Sequence, residues 1–203
     1  MEWIMKFIGI TGGVGAGKST VLAYLEAHCH CKVVLADDLA KSLMEPGSVF
    51  YEQICQVLAG RDVFGVDGRL DAAKMARVLF SDDAIRSQVN AIVHPAVKQS
   101  VVQQVEAERR RGVLDYFFFE AALLIEEHYD RICDELWYIY ADEDCRRARL
   151  KESRGYTDEK VDAIFASQLP EAVFRQYCQK VIDNQGTPEQ TAACLQSILG
   201  IGE

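Results

Sequence analysis

Lys6-Phe7-Ile8-Gly9-Ile10-Thr11 runs straight into Gly12-Gly13-Val14-Gly15-Ala16-Gly17-Lys18-Ser19-Thr20. The first six residues are apolar and β-prone, which predicts a buried strand that stops at the glycines. Behind Lys18, Val21, Leu22 and Leu25 recur at helical spacing, so the glycines lie in a strand-to-helix turn. Every fixed position of G-x-x-x-x-G-K-[ST] is filled there, in the context the motif requires. Side-chain-poor residues let successive backbone N–H groups converge on phosphate oxygens, and the helix N-terminus adds favourable partial charge. Lys18 can reach the β/γ bridge of a nucleotide, and the Ser19 hydroxyl can ligate Mg²⁺. Gly12, Gly13, Val14, Gly15, Ala16, Gly17, Lys18, Ser19 and Thr20 are therefore read as a nucleotide-phosphate site. A glycine-rich structural turn with a solvated lysine is the simpler alternative, and the completeness of the motif argues against it.

Outward from this loop, a second apolar run, Val33-Val34-Leu35, ends at Ala36-Asp37-Asp38. Carboxylates at the C-terminal ends of strands in open α/β sheets face the ligand crevice, so Asp37 is the candidate catalytic carboxylate. The Asp37-Asp38 pair also reads as a helix cap. From Pro46 to Arg111 the pattern is mostly helical, with Phe50, Ile54, Val57 and Leu58 on one face, Val97, Val101, Val102 and Val105 on another, and Gly60 and Gly112 as stops. Strands are predicted over Val113–Phe119 and Leu136–Tyr140, and Glu120 stands just past the first of them. Glu120 can orient hydrated Mg²⁺ or serve structure alone. Val181-Ile182-Asp183-Asn184 reads as a last strand, followed by a capping box, Thr187-Pro188-Glu189-Gln190, that opens a closing helix. Strands alternating with helices specify an α/β fold with a parallel five-stranded sheet flanked by helices.

Composition narrows the function. The 203 residues are 49% hydrophobic and 26% charged, suited to one globular domain. A net charge of −9 disfavours a nucleic-acid partner held by a positive field. The N-terminus lacks the pattern of a secretory signal, and no apolar run approaches the roughly 18 residues of a membrane span. Seven scattered cysteines indicate reduced thiols and a cytoplasmic protein. A guanine-reading Asn-Lys-x-Asp loop is missing and the chain is short for a motor ATPase, so a small-molecule kinase using ATP fits best.

Arg146, Arg147, Arg149, Arg154 and Arg175 concentrate in a stretch, Arg146 to Gln179, that reads as a mobile lid. It holds a charged helix, a turn at Arg154-Gly155-Tyr156-Thr157 and a second amphipathic helix carrying Val161, Ile164 and Phe165. Of these arginines, Arg149 and Arg154 are taken as ATP-binding. Helical spacing sets Arg146 beside Arg149 and turns Arg147 away, so one or more of the cluster is expected to be merely solvated. His94 precedes Pro95, a position biased away from helical geometry, from which the ring faces a substrate or hydrogen-bonds the next helix. Arg109, Arg110 and Arg111 suit the negative pole of a helix end. His28-Cys29-His30-Cys31 lacks the paired spacing of a zinc site, and the strand aromatics read as core.

The chain resembles the dephospho-CoA kinase family from its first strand to Gly186. The resemblance rests on Ile10 to Thr20, Ala36-Asp37 with Leu39-Ala40 and Glu45-Pro46-Gly47, Phe64-Gly65, Asp67-Gly68-Arg69-Leu70-Asp71, Leu79-Phe80, Asn90-Ala91-Ile92-Val93-His94-Pro95, Leu123-Leu124-Ile125-Glu126, Gln168, and Val181 to Gly186. It implies a single domain over residues 1–203, with a core (1–38, 113–142, 179–203), a helical CoA-side region (39–112) and a helical lid (143–178). It also implies transfer of the ATP γ-phosphoryl group to the ribose 3′-hydroxyl of dephospho-CoA, with Asp37 as general base and Mg²⁺ as cofactor. Asp37, Lys41, His94, Glu120 and Leu123 fall on the acceptor side, and a monomer is expected, with a weak oligomer as the alternative. Leu35, Lys41, Ala72 and Ala122 depart from residues common in the family. Another small-molecule kinase of the same loop type, or a nucleotide-binding regulator without turnover, stays open.

Overall fold

A computed structural model describes residues 5–200; positions 1–4 and 201–203 of the expected domain lie outside them. The residues divide into two compact units, one from the described parts of Met1–Val33 and Ala107–Glu203, the other Val34–Glu106.

The first unit is built on strands β1 (Lys6–Thr11), β2 (Cys31–Leu35), β3 (Tyr116–Glu120), β4 (Glu135–Tyr140) and β5 (Lys180–Asp183), in the order β2-β3-β1-β4-β5. Pairs β1–β3, β1–β4 and β4–β5 are parallel. Strands covered on both faces read as continuous apolar runs, and Phe7, Ile8, Ile10, Phe117, Phe118, Phe119, Leu136, Trp137, Tyr138 and Ile139 are all buried. The strand aromatics are core, as expected. With β1 central and its successors on opposite sides, the C-terminal end of β1 is a topological switch point, and the glycine loop leaves the sheet there.

The predicted strand at Val113 begins three residues late. Val113 is 68% exposed, and pairing starts where Lys6 of β1 meets Tyr116. Composition marks Val113 and Leu114 as strand-formers, but their partner strand does not extend to them. Glu120 is correspondingly the last residue of β3, opposite Ile10, rather than a residue beyond it.

Helix α1 (Lys18–His28) follows the glycine loop. Helices α6 (Glu143–Arg154), α7 (Asp158–Ala166) and α8 (Glu171–Tyr177) separate β4 from β5, and Gly155 ends α6 in the left-handed region at φ 62°. Thr187 and Gln190 close the expected capping box on α9 (Pro188–Leu199).

In the second unit, α2 (Ala36–Leu43), α3 (Val49–Val57), α4 (Ala72–Ser81) and the first part of α5 (Asp83–Arg111) enclose Ile54, Leu58, Val63, Ile85 and Val89. Asp71 caps α4 by accepting from Lys74 N at 2.8 Å. Helix α5 runs unbroken through Pro95, so His94 is half-buried in a helix interior rather than at a helix start. Proline costs the helix a hydrogen bond, about 3 kcal/mol. Burial of Val89, Ala96, Val97, Val101 and Val105 along one stripe offsets it, at roughly 1.5–3 kcal/mol for each large apolar side chain. No helix among the described residues is long and apolar enough to cross a membrane.

Candidate active site

Side chains donate to alternate carbonyls of the loop between β1 and α1. Lys18 Nζ donates to Gly12 O at 2.8 Å, Arg146 Nε to Val14 O at 2.9 Å, and Asn184 Nδ2 to Ala16 O at 2.7 Å. Because each peptide is planar and trans, fixing those oxygens sets the N–H groups of Gly13, Gly15 and Gly17 each antiparallel to the carbonyl before it. Gly17 has φ 83°, a left-handed conformation suited to glycine, and forms the N-cap of α1 without a side-chain cap. The first N–H groups of α1 are left uncapped by that residue, which suits an anion. At Gly13 a Cβ would overlap the Arg146 guanidinium, so a larger residue could not admit that side chain so close to the loop.

Lys18 and Glu120 meet at 3.5 Å, with side chains 16% and 18% exposed. The ammonium is therefore stationed at the loop mouth between the Gly12 carbonyl and the Glu120 carboxylate. Ser19 and Thr20 are exposed on the first turn of α1. The Ser19 hydroxyl and Glu120 carboxylate are hard oxygen donors, the chemistry a Mg²⁺ ion takes alongside phosphate and water. Among the described residues no group of three His, Cys, Asp or Glu is placed to hold a metal by itself.

Of the two arginines expected at ATP, Arg149 reaches the loop, donating from Nη2 to Asn184 O at 2.7 Å and from Nη1 to Ala16 O at 3.3 Å. Arg154 stacks instead on Tyr156, 5.9 Å from its ring centroid. The helix turns about 100° per residue, which carries Arg154 away from the Arg149 face and brings Arg146 onto it. Arg146 also bonds Gln168 Oε1 and lies 4.3 Å over the Phe165 ring, and burial pushes its pKa down. Arg147, expected to be turned away from Arg146 and Arg149, donates to Asp158 at 3.3 Å and to Asp162 at 2.6 Å, joining α6 to α7. Arg175 pairs with Glu171 at 2.5 Å.

Comparison with known proteins decides what this loop belongs to. The family model for dephospho-CoA kinase matches residues 6–190. The chain belongs to the dephospho-CoA kinase family. A dephospho-CoA kinase of Shouchella clausii is 36% identical over 184 residues, covering 91% of this chain and 92% of the relative. A solved Thermus thermophilus structure superposes with a TM-score of 0.79 at 29% identity, over 98% of this chain and 99% of that one. Dephospho-CoA kinase from Campylobacter jejuni shares the fold, with a TM-score of 0.71 at 17% identity over 96% of each chain.

In this family member, Asp37 and Asp38 are exposed in the first turn of α2, whose N-cap is Leu35 without a side-chain bond, so the pair does not cap the helix. Asp38 is tied to Lys41 at 2.8 Å, which raises the lysine pKa. Leu123 is exposed beyond β3. Cys31 Sγ donates to Leu25 O at 3.5 Å, and the His28 ring stacks on Tyr24 at 4.0 Å, which accounts for two of the His28-Cys31 cluster. No motif or spacing in the sequence assigns Asn184, Thr191 or Gln168 an individual role. An Asn directly after the last strand and a Thr four residues into the next helix's capping box were the available signals.

Arg146→Lys keeps the charge and loses the fork that spans Val14 and Gln168. ADP affinity is expected to fall about tenfold by titration calorimetry. Wild-type affinity would remove Arg146 from loop positioning.

Proposed function

We propose that the chain transfers the γ-phosphoryl group of ATP to the ribose 3′-hydroxyl of dephospho-CoA, giving CoA and ADP in the last step of CoA synthesis. The observation that carries this reading is the glycine loop with side chains bonded to its alternate carbonyls and Lys18 at its mouth, in a chain of this family. The 3′ oxygen attacks the γ-phosphorus as the bond to the β-bridging oxygen breaks. Asp37 accepts the hydroxyl proton, and the bridging oxygen leaves on ADP.

Gly13, Gly15 and Gly17 N–H groups grip phosphate oxygens. Lys18 moves from Glu120 to the β/γ oxygens and offsets the charge that develops there. Mg²⁺ carried with ATP would neutralise the same oxygens, held by the Ser19 hydroxyl and oriented by Glu120 through water. Residues 143–178 act as the lid, excluding water and bringing Arg149 to the nucleotide. Lys41, His94 and Leu123 serve the acceptor. The seven free cysteines support a reducing, cytosolic setting.

A mass-resolved assay with ATP, Mg²⁺ and dephospho-CoA tests the reading. The expected product is the acceptor heavier by one phosphate group, formed one for one with ADP. Phosphorylation of a nucleoside or sugar with dephospho-CoA untouched would transfer the chain to another kinase activity. Nucleotide binding without any turnover would make it a regulator, the outcome that the departures at Leu35, Lys41 and Ala72 make worth testing. Ser19→Ala is expected to raise the Mg²⁺ concentration needed for half-maximal rate about tenfold; an unchanged requirement would take the hydroxyl off the ion.

A further inference from the structure

Asn184 follows the last residue of β5 and is 5% exposed. Its main-chain N–H donates to Tyr140 O at 2.8 Å, so the sheet fixes where this residue begins. Its side-chain amide is satisfied at both ends. Nδ2 donates to Ala16 O at 2.7 Å and to Gly17 O at 3.4 Å, while Oδ1 accepts from Thr191 Oγ1 at 2.9 Å. Thr191 is itself buried on α9. A Cβ on Gly17 would overlap Asn184 Nδ2, so the glycine before Lys18 makes room for this amide as well as supplying its φ.

An amide has nearly the same shape in either orientation, and the hydrogen-bond partners decide which end faces which way. Flipped, Oδ1 would confront the Ala16 and Gly17 carbonyls, acceptor against acceptor. Those carbonyls disfavour the flip, and the Thr191 hydroxyl, which donates to Oδ1 at 2.9 Å with Thr187 O as a second acceptor at 3.4 Å, supports the same orientation. Three side chains distant in sequence thus set one peptide orientation: Thr191 helps direct Asn184, Asn184 holds the Ala16 carbonyl, and Arg149 adds a second donor to Ala16 O.

We infer that Asn184, oriented by Thr191, is a positioning residue for nucleotide phosphate: it draws the Ala16 carbonyl back so that the Gly17 N–H group faces the phosphates, beside a Gly17 carbonyl that α1 itself holds through Thr20 N and Val21 N. The inference rests on the phosphate reading of the loop given above and is independent of which acceptor the enzyme uses. A side chain that merely filled space there would need the volume of Asn184. Positioning needs an N–H donor aimed at the Ala16 carbonyl oxygen, and the two requirements separate experimentally.

Asn184→Asp preserves shape, removes both donors and sets a carboxylate oxygen against Ala16 O. Thr191→Val preserves shape and removes the hydroxyl that supports the amide's orientation. Titration calorimetry with Mg²⁺ and ADP is expected to show at least tenfold weaker binding for Asn184→Asp and about threefold weaker binding for Thr191→Val. In an Asn184→Ala background, Thr191→Val should cost no further affinity, because the hydroxyl acts through the amide. The KM for dephospho-CoA should stay at the wild-type value in Thr191→Val.

A lower melting temperature with ADP affinity within twofold of wild type, in Thr191→Val and in whichever Asn184 variant folds, would reduce the network to packing and overturn the inference. An equal loss from Thr191→Val with and without Asn184 would overturn the orienting role. Wild-type protein that fails to bind ADP would instead defeat the phosphate reading itself. Wild-type protein that binds ADP yet forms no CoA defeats only the proposed acceptor.

Discussion

Lys18→Ala is expected to lower the rate of CoA formation by about 10²-fold or more under saturating substrates. The ammonium is the mobile charge of the loop: the backbone donors are fixed, whereas Lys18 exchanges a carbonyl and a carboxylate for phosphate oxygens. Its present partners show what that exchange involves. The Gly12 carbonyl accepts from Nζ at 2.8 Å, and Glu120 stands farther, at 3.5 Å. Negative charge builds on the β/γ bridging oxygen as its bond to the γ-phosphorus breaks, so a cation at that bridge binds the transition state better than ground-state ATP. The loss should accordingly fall mainly on kcat, with a smaller change in ADP affinity. Glu120 complicates a simple truncation, because it would be left half-buried without its lysine. Lys18→Ala combined with Glu120→Gln removes that carboxylate charge. If the double variant stays as slow as the single one, the missing ammonium is the cause; recovery toward the wild-type rate would trace the defect to Glu120 instead. A wild-type rate for Lys18→Ala would overturn the role given to this residue.

The parts of this site that sequence exposes are those whose determinants are local. Lys6–Thr11 reads correctly as a strand because both of its faces are covered, and the motif behind it is contiguous. Thr187 and Gln190 announce a helix start because the box closes within four residues. Where an outcome depends on what lies opposite, local reading misses. Val113 has the composition of a strand but no partner, and Pro95 has the chemistry of a helix boundary inside a stripe whose burial outweighs it. The choice between Arg146 and Arg154 depends on the phase at which α6 meets the loop, a property of the packed molecule. Asn184 is the clearest case. Its amide bonds Ala16, 168 residues away in the chain, and nothing near Asn184 in sequence specifies that partner.

Asp37→Asn is expected to lower turnover by about 10²- to 10⁴-fold, the range for loss of a general base, while ADP binding changes little. Asn keeps the shape and hydrogen-bonding reach of Asp but cannot take the proton of the attacking hydroxyl. The two neighbouring carboxylates are not equivalent. Asp38 is held by Lys41 at 2.8 Å, a contact that commits one of its oxygens to an ammonium. Asp37 shares the exposed first turn of α2 without such a bond. Asp38→Asn should therefore leave turnover within about threefold of wild type, since its removal frees Lys41 and touches no reacting atom. Steady-state rates with mass-resolved CoA as the readout, beside calorimetric ADP affinity, distinguish the two. A near-normal Asp37→Asn with a crippled Asp38→Asn would move the base by one residue and give Lys41 the task of releasing it. Two near-normal single variants would mean that the hydroxyl proton leaves without a carboxylate on α2, as a loose metaphosphate-like transition state permits when the nucleophile needs little activation.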